Sequence, residues 1–535
     1  MSSPVEPRAA APRPRRNLRM VVEVGICLLI LVSLFRAFLA SGYMIETGSM
    51  APCLLGYHWW ATCPSCRFSF AVEGSRTGVR ADCPNCGQRG MNVESLPRND
   101  GDHLLVSREA FEFRPPRRWE VVVFRNPHRP TQAFVKRLIG LPGEELEIRH
   151  GDVFADGKIQ AKSYATQRGL RIPVYDHDYR PNPDDPDWQD RWVLDQPQNG
   201  WTSEDGRFRF SPPTGDASAL AWINYRHWVR QGGVHKTSVR VPQWPDTLPV
   251  PDPAFGQLSY DESRKALVCR GALPRDRRDQ LLQATGDRTF RQAVERLYDA
   301  SHIAPVTDTY GYNRGAGGGG LNEVRDLMFE ARVAIRDSSG TFVLSISDGT
   351  ETMQCFFDVG ERNVRLVDTR TGKAVRTAPL PSALVPGPAT VELSLMDRQV
   401  LVAVNGKLLF DPWSYPDANE RGPTPWQPVR FGAGGARIEV DHLKLFRDVH
   451  YTSGDGQKYA GRPQRLRPHE YFVLGDNSPV SRDSRSWGPD AVLEADMFLG
   501  KPLVVHLPSR KTRVRLGGWQ GEIRIPEFSR IRYIQ

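Results

Sequence analysis

Hydrophobic and polar positions along this 535-residue chain change character several times. One long apolar run comes first, "MVVEVGICLLILVSLFRAFLASGYMI". Its stretch from Met20 to about Ala40 matches the ~20 residues that cross a bilayer as one helix. Glu23 and Arg36 lie near its ends, where charged side chains can reach the interface. From about 103 to 160 the pattern is β: "HLLVS", "EVVVF", "QAFVKRLIG" and "EELEIRHGDVFADGKI" alternate or run apolar, and "RNPHRPT" reads as a hairpin loop. Residues 166–199 are rich in Pro, Asp and Arg and read as an irregular connection. From about 200 to 450 one short helix is predicted near 289–299, where Phe290, Ala293, Val294, Leu297 and Tyr298 share a face. A Gly317–Gly320 loop and many short strands follow. Val400, Val402 and Val404 alternate up to Asn405-Gly406, a tight-hairpin signal, and Leu408 and Phe410 resume the pattern. Antiparallel strands with no helices between them predict a β-sandwich. The chain is then polar until "HEYFVLGDNSPVSRDSRSWG" at 469–488, and β again to its end.

Charge orients the apolar run. Residues 1–19 carry Arg8, Arg13, Arg15, Arg16 and Arg19 against Glu6, whereas 41–62 hold Glu46 and no Lys or Arg. The positive-inside rule places 1–19 in the cytoplasm and everything after about 42 outside. The alternative is a cleaved signal peptide ending near "FLASG". Overall, 71 basic and 62 acidic residues leave a net charge of +9, a mild excess that suits anionic headgroups. No basic stripe with interleaved aromatics accompanies it, so nucleic acid is not an expected partner. The aromatics of "CLLGYHWWAT" fit either a membrane interface or an ordinary hydrophobic loop.

Cys63-Pro-Ser-Cys66 and Cys83-Pro-Asn-Cys86 form two knuckles 16 residues apart, with Gly87 after the last cysteine. This spacing suits a structural four-thiolate zinc site with no open position. Two disulfides compete with it, because the predicted topology puts the segment in an oxidising compartment. Cys27, Cys53, Cys269 and Cys355 are isolated and read as packing residues.

Ser49 leaves the apolar run in "ETGSMAP". A serine needs a base to attack a carbonyl, and a lysine with a depressed pKa can serve. In a strand, Lys136 shares a face with Phe134 and Leu138, while Val135, Arg137 and Ile139 point the other way. Desolvation between apolar neighbours would pull its pKa toward neutrality; the plainer reading is a solvated strand lysine. "GDNSPVSRDSR" makes tight turns, and its flanks "YFVL" and Trp487 half-bury it.

In order, Thr47-Gly48-Ser49-Met50-Ala51-Pro52, Lys136-Arg137-Leu138-Ile139-Gly140-Leu141-Pro142-Gly143 and Gly475-Asp476-Asn477 through Ser481-Arg482-Asp483-Ser484-Arg485-Ser486-Trp487-Gly488 resemble bacterial type I signal peptidase, over about a third of the chain. The resemblance implies a membrane-anchored Ser/Lys endopeptidase that removes signal peptides from exported preproteins and needs no cofactor for catalysis. Ser49 would be the nucleophile and Lys136 the general base, with Ser481 hydrogen-bonded to the lysine amine. The Ser49 N–H and Thr47 hydroxyl would form the oxyanion hole. Asp483 and Arg485 would clamp the wall behind, with Arg137 nearby and Gly475, Asp476 and Asn477 shaping it. Implied partners are signal peptides, the lipid bilayer and the protein export machinery; the implied location is the inner membrane, catalytic side outward. Thr47 stands where a serine is commoner, and Trp119-Glu120 where the family often has Gly-Asp.

The expected organisation is mainly β. A basic tail (1–19) and a transmembrane helix (20–41) precede a catalytic core in two parts (42–62 with 100–165, and 451–535). The core is interrupted by a zinc-ribbon-like insertion (63–99) and a β-sandwich (200–450) resembling a laminin-G or concanavalin-like jelly roll in strand pattern alone. Two other readings stand beside this one. One is an outward-facing adhesin or glycan-binding protein with an inactive core. The other is a single-substrate or self-cleaving relative.

Overall fold

The computed structural model describes residues 15–34, 40–75, 78, 80–197, 199–213, 219–233, 235–251, 256–313, 322–416, 421–452, 463–488, 493–506, 508–516 and 519–534. The glycine loop at 317–320 and most of the basic tail lie outside them.

Strand is the dominant state, as the alternating patterns require. One sheet runs in the order Ala40–Met44, His103–Ser107, Phe498–His506, Val121–Asn126, Arg129–Gly140, Glu470–Leu474, Leu493–Glu494, with Arg532–Tyr533 beside Phe498–His506. Val121 to Phe124 are all buried because both faces of this central strand are covered. The loop of its hairpin is tighter than "RNPHRPT" implied: Asn126 pairs Arg129, leaving Pro127 and His128 as the turn. A smaller sheet, Lys158–Ile159, Asp152–Ala155, Glu145–Arg149 and Gln464–Arg465, lies alongside in sequence.

Two antiparallel sheets make up most of the middle of the chain. One contains Trp201–Glu204, Arg207–Phe210, Ile438–Arg447, Leu327–Ile335, Ala389–Met396 and Gln399–Val404. The other contains Ala221–Tyr225, Val429–Gly434, Thr341–Ser347, Thr352–Asp358, Asn363–Asp368 and Lys373–Pro379. Phe329 and Val440 from the first sheet share a buried cluster with Phe342, Phe357 and Phe431 from the second, so the sheets pack face to face. Asn405 (φ 48°) and Gly406 (φ 76°) take the left-handed conformations of the expected hairpin turn. The stretch 166–199 is less irregular than its composition implied: Ile172–Asp176 pairs with Ile438–Arg447, and Trp192–Leu194 with Ala221–Tyr225. The middle also holds a second helix, Arg275–Gln283, beside the expected one, which spans Arg288–His302 and is capped by Asp287.

The N-terminal helix spans Arg15–Leu34. It starts earlier than expected and so takes in Arg15, Arg16 and Arg19 along with Glu23; Arg19 and Glu23 pair at 2.7 Å, one turn apart. Among the described residues no helix is long and apolar enough to cross a membrane. The remainder of the expected span, 35–39, is outside the described residues.

Peptide segments far apart in sequence are fastened by Lys162. Its buried ammonium lies 2.6 Å from Asp397 Oδ1 and 2.7 Å from Asp448 Oδ2, and 4.6 Å from the Trp119 ring centre. Removing the cation leaves buried carboxylates without their partner, which typically costs about 3–5 kcal/mol. Lys162→Met is therefore expected to lower the denaturant midpoint of unfolding by that order, whereas exchanging an exposed lysine such as Lys158 leaves it unchanged.

Candidate active site and four-cysteine centre

The serine sits in a 3-10 turn, Gly48–Met50, immediately after the edge strand Ala40–Met44. Met50 and Leu54 anchor this turn in a cluster with Leu104, Val106, Val121 and Val123 of the sheet. Behind it, Asp102 accepts from the Leu55 N–H at 3.0 Å and pairs with Arg532 at 2.9 Å; Arg532 also donates to the Cys53 carbonyl. Ser49 is half-buried and Thr47 exposed. The Thr47 hydroxyl lies 3.4 Å from Ser49 Oγ.

Strand Arg129–Gly140 brings in the lysine. Its first half is exposed and its last five residues, from Lys136 onward, are buried, so the amine emerges where the strand enters the core. Lys136 Nζ lies 2.5 Å from Ser49 Oγ, across 87 residues of sequence. It also donates to the Val135 carbonyl at 3.2 Å and stands 5.5 Å from the Phe134 ring centre. Burial lowers the Lys136 pKa to about 8, against the opposing pull of Asp483 and Asp476. An amine titrating there is neutral in about one molecule in ten at pH 7, several hundred times more often than an ordinary lysine.

Nearby acids are already committed. Arg137 points to the opposite face of the same strand and makes a bidentate pair with Asp476, Nε–Oδ1 2.8 Å and Nη2–Oδ2 2.7 Å. Arg485 pairs in the same way with Asp483, at 2.9 and 2.7 Å. Asp483 Oδ2 also accepts from the Gly475 N–H at 3.0 Å, and Arg485 donates to Thr452 O and Ser478 Oγ. These four side chains are essentially fully buried. Asn477 donates its backbone N–H to Ser49 O at 3.1 Å and its amide to Gly48 O at 2.8 Å.

The geometry departs from expectation at Ser481. Its Oγ is buried and has no hydrogen-bond partner, so it does not hold the lysine amine. The amine instead bonds to Ser49 and the Val135 carbonyl, and Ser481 Oγ packs over Gly475. Trp119 also has a structural account. It adopts φ 71°, a conformation natural to glycine, with its N–H on Leu138 O and its carbonyl taking Arg137 Nη1 at 2.6 Å. Glu120, next along, is pushed up by burial, but hydrogen bonds from Arg114 and Lys501 outweigh this and hold its carboxyl at about 2.

The four cysteines converge. Every Sγ of Cys63, Cys66, Cys83 and Cys86 lies within 4.8 Å of the others, all are buried, and none is disulfide-bonded. The Cys63–Cys86 and Cys66–Cys83 Sγ separations are both 3.6 Å, far beyond a disulfide bond. They approach the edge of about 3.8 Å of a tetrahedron with metal–sulfur distances of about 2.3 Å. The two knuckles are built alike. Arg67 N–H bonds Cys63 O and Gly87 N–H bonds Cys83 O, both at 2.9 Å, and Arg67 (φ 63°) and Gly87 (φ 75°) take the same left-handed turn. The donor set therefore fits zinc. Flanking strands His58–Thr62 and Ser69–Glu73 pair, which buries Trp59 in the protein core. Cys269 and Cys355 are buried as packing residues, whereas Cys27 is exposed on the N-terminal helix. Sequence reasoning missed Tyr312, which covers Gly48, and Tyr310 and Asn313, which bond Asp476 and Asn477, all from the middle of the chain; nothing in their local pattern marks them.

A family model described as signal peptidase, peptidase S26, matches residues 91–210 and 398–506. The match includes Lys136 and the loop from Gly475 to Trp487, and begins after Ser49. The chain is 34% identical over 90 residues to the probable signal peptidase I-2 of Synechocystis sp., covering 16% of this chain and 39% of that protein. It is 37% identical over 71 residues to signal peptidase I of Leptolyngbya laminosa, covering 12% and 34%. The chain thus spans well under half the length of these curated relatives. Among solved structures, the carbohydrate binding module CBM66 from Bacillus subtilis aligns to 23% of this chain and 74% of its own at 11% identity, with a TM-score of 0.18.

A Cβ on Gly475 would lie 2.2 Å from Ser481 Oγ and 2.4 Å from the Ser49 carbonyl oxygen. Gly475→Ala must displace the serine turn, and overpacking of this kind costs about 1–3 kcal/mol. A lowered unfolding midpoint is expected, with a displaced Ser49 visible in the crystal structure of the variant.

Proposed function

We propose that this protein is a membrane-anchored serine endopeptidase that cleaves signal peptides from exported preproteins, with Ser49 as nucleophile and Lys136 as general base. The contact of 2.5 Å between Lys136 Nζ and Ser49 Oγ carries the reading. The partial match to the signal peptidase family supports the substrate class. The exposed apolar side chains of Met20, Val21, Val22, Val24, Ile26, Leu28, Leu29 and Ile30 support an anchor in lipid, since such a surface is unfavourable in water. A catalytic side facing outward from the inner membrane, beside the export machinery, follows from this reading.

In the reaction, the neutral Lys136 amine takes the Ser49 proton as Oγ bonds to the scissile carbonyl carbon. The Ser49 N–H and Thr47 hydroxyl receive the oxyanion. The tetrahedral adduct collapses, the C–N bond breaks, and the Lys136 ammonium gives its proton to the leaving amine. The signal peptide is then an ester on Ser49. Lys136 deprotonates a water that attacks this ester, and the returned proton regenerates the serine. Asp476 and Asp483 are paired with Arg137 and Arg485, so neither carboxylate sits bare beside the amine, where it would favour the lysine charge.

The four-cysteine centre takes structural zinc in this reading and leaves the chemistry to the dyad. Its four thiolates would fill the metal's shell and tie Cys63–Cys66 to Cys83–Cys86.

In cleavage assays on a membrane-targeted preprotein, Ser49→Ala and Lys136→Met should each abolish processing; substantial turnover by either variant refutes the dyad. Because burial lowers the Lys136 pKa, kcat/KM should rise as pH increases through about 8 and level off above it. A rise centred near the ordinary lysine value of about 10.4, or near about 6.5, would point to another base. Elemental analysis should find one zinc per chain, lost in Cys83→Ser.

A further inference from the structure

Residues 310–313 lie within the stretch between 210 and 398 that the family match leaves out. They nonetheless reach the catalytic turn. Tyr310, buried, donates its hydroxyl to the Asp476 carbonyl at 2.7 Å. Tyr312 donates to the Tyr57 carbonyl at 3.1 Å, and its ring fills the space over Gly48: a Cβ there would lie 2.2 Å from its Cε1. Asn313 makes a reciprocal amide pair with Asn477, each Nδ2 on the other's Oδ1 at 2.7 Å. On the far side, Gly311 abuts Pro84, between the cysteines of the second knuckle; a Cβ on it would lie 2.8 Å from Pro84 Cγ.

We infer that this turn is a positioning element of the catalytic centre and that Asn313 fixes Ser49 through Asn477. The inference rests on the peptidase reading above. Asn477 is fully buried, and its amide has two donors and one oxygen to satisfy. One donor holds Gly48 O, and the backbone N–H holds Ser49 O. A flipped Asn477 would set its oxygen against Gly48 O and lose this bond. Asn313 holds the amide in the same orientation. It presents an N–H to the Asn477 oxygen and an oxygen to the second Asn477 N–H, so a flipped Asn477 would set donor against donor and carbonyl against carbonyl. The correct flip turns Nδ2 toward Gly48 and pins the carbonyl of the Gly48–Ser49 peptide, while the backbone N–H pins that of the peptide after it. The N–H assigned to the oxyanion belongs to the Gly48–Ser49 peptide. Tyr312 closes the other side of Gly48, and Pro84 supports the turn from behind. Thus both segments that interrupt the catalytic sheet in sequence, the cysteine segment and the middle of the chain, meet at the nucleophile.

The test uses the full chain in detergent with Asn313→Ala, Tyr312→Phe, Asn477→Ala and the Asn313→Ala/Asn477→Ala double variant. Two rates are read: preprotein cleavage and labelling of Ser49 by a small fluorophosphonate. A displacement of about 1 Å costs on the order of 100-fold in rate. Asn313→Ala should therefore lose about 10- to 100-fold in kcat and in labelling, with KM and the thermal unfolding midpoint little changed. The double variant should be no slower than Asn477→Ala, because the two residues act as a unit. If Asn313→Ala misfolds, Tyr312→Ala and Tyr312→Phe take its place: Tyr312→Ala, which removes the ring over Gly48, must fall below Tyr312→Phe in kcat and labelling, and equal rates overturn the inference. Unchanged kcat and labelling in Asn313→Ala, or losses that multiply in the double variant, overturn the inference. Labelling of Ser49 without preprotein cleavage in the unmodified chain would refute the substrate reading and leave the positioning role standing. Absence of labelling in the unmodified chain would refute both.

Discussion

A buried amine held against a hydroxyl is the constraint on which the rest of this molecule depends. An ammonium is stabilised by water and by nearby carboxylates, so a lysine base needs both kept away. Lys136 is brought to the serine by a strand whose exposed half ends shortly before it, so the backbone itself carries the amine out of water. The two carboxylates close enough to recharge it are each engaged by a guanidinium in bidentate geometry. Those ion pairs are costly to bury and gain little net stability over apolar packing. Their value here is electrostatic: they remove two bare negative charges from the surroundings of the Lys136 amine.

The same pairs organise the backbone. Asp483 fastens Gly475, Arg485 reaches Thr452 and Ser478, and Arg137 holds the carbonyl of a strained Trp119. A tryptophan in a glycine conformation persists only where its surroundings over-determine it. One backbone hydrogen bond, one arginine and the Lys162 ammonium over its ring supply that constraint. Lys162 in turn binds Asp397 and Asp448, on segments that flank the packed sheets of the middle of the chain. The sheet that carries Lys136 and those sheets are therefore joined through one chain of buried polar contacts.

This connectivity changes how the interruptions of the Lys136 sheet are understood. By sequence they look like additions placed in surface loops, which lengthen at small entropic cost. In three dimensions one contributes Pro84 and the other contributes Tyr310, Tyr312 and Asn313 to the surroundings of Gly48 and Ser49. Gly48 and Ser49 are only half-buried at the edge of a sheet, and these segments pack beside them, Tyr312 and Ala71 sharing a cluster with Ala51 and Leu55.

Alternation and turn chemistry in the sequence determined the β character, the Asn405-Gly406 hairpin and the helix capped by Asp287, because these depend on neighbours within a few residues. The cysteine spacing determined that four thiols would meet, since each knuckle is a closed local turn. Motif order marked Ser49, Lys136 and the Asp483–Arg485 pair. Only the tertiary structure decided that Asp476 belongs to Arg137, that Ser481 does not reach the amine, and that 166–199 supplies strands to both packed sheets. It alone brought Asn313 to Asn477, 164 positions away. These facts concern which distant groups share a buried volume. Local pattern carries no record of that, because the partner that satisfies a buried donor or charge is selected by packing across the fold.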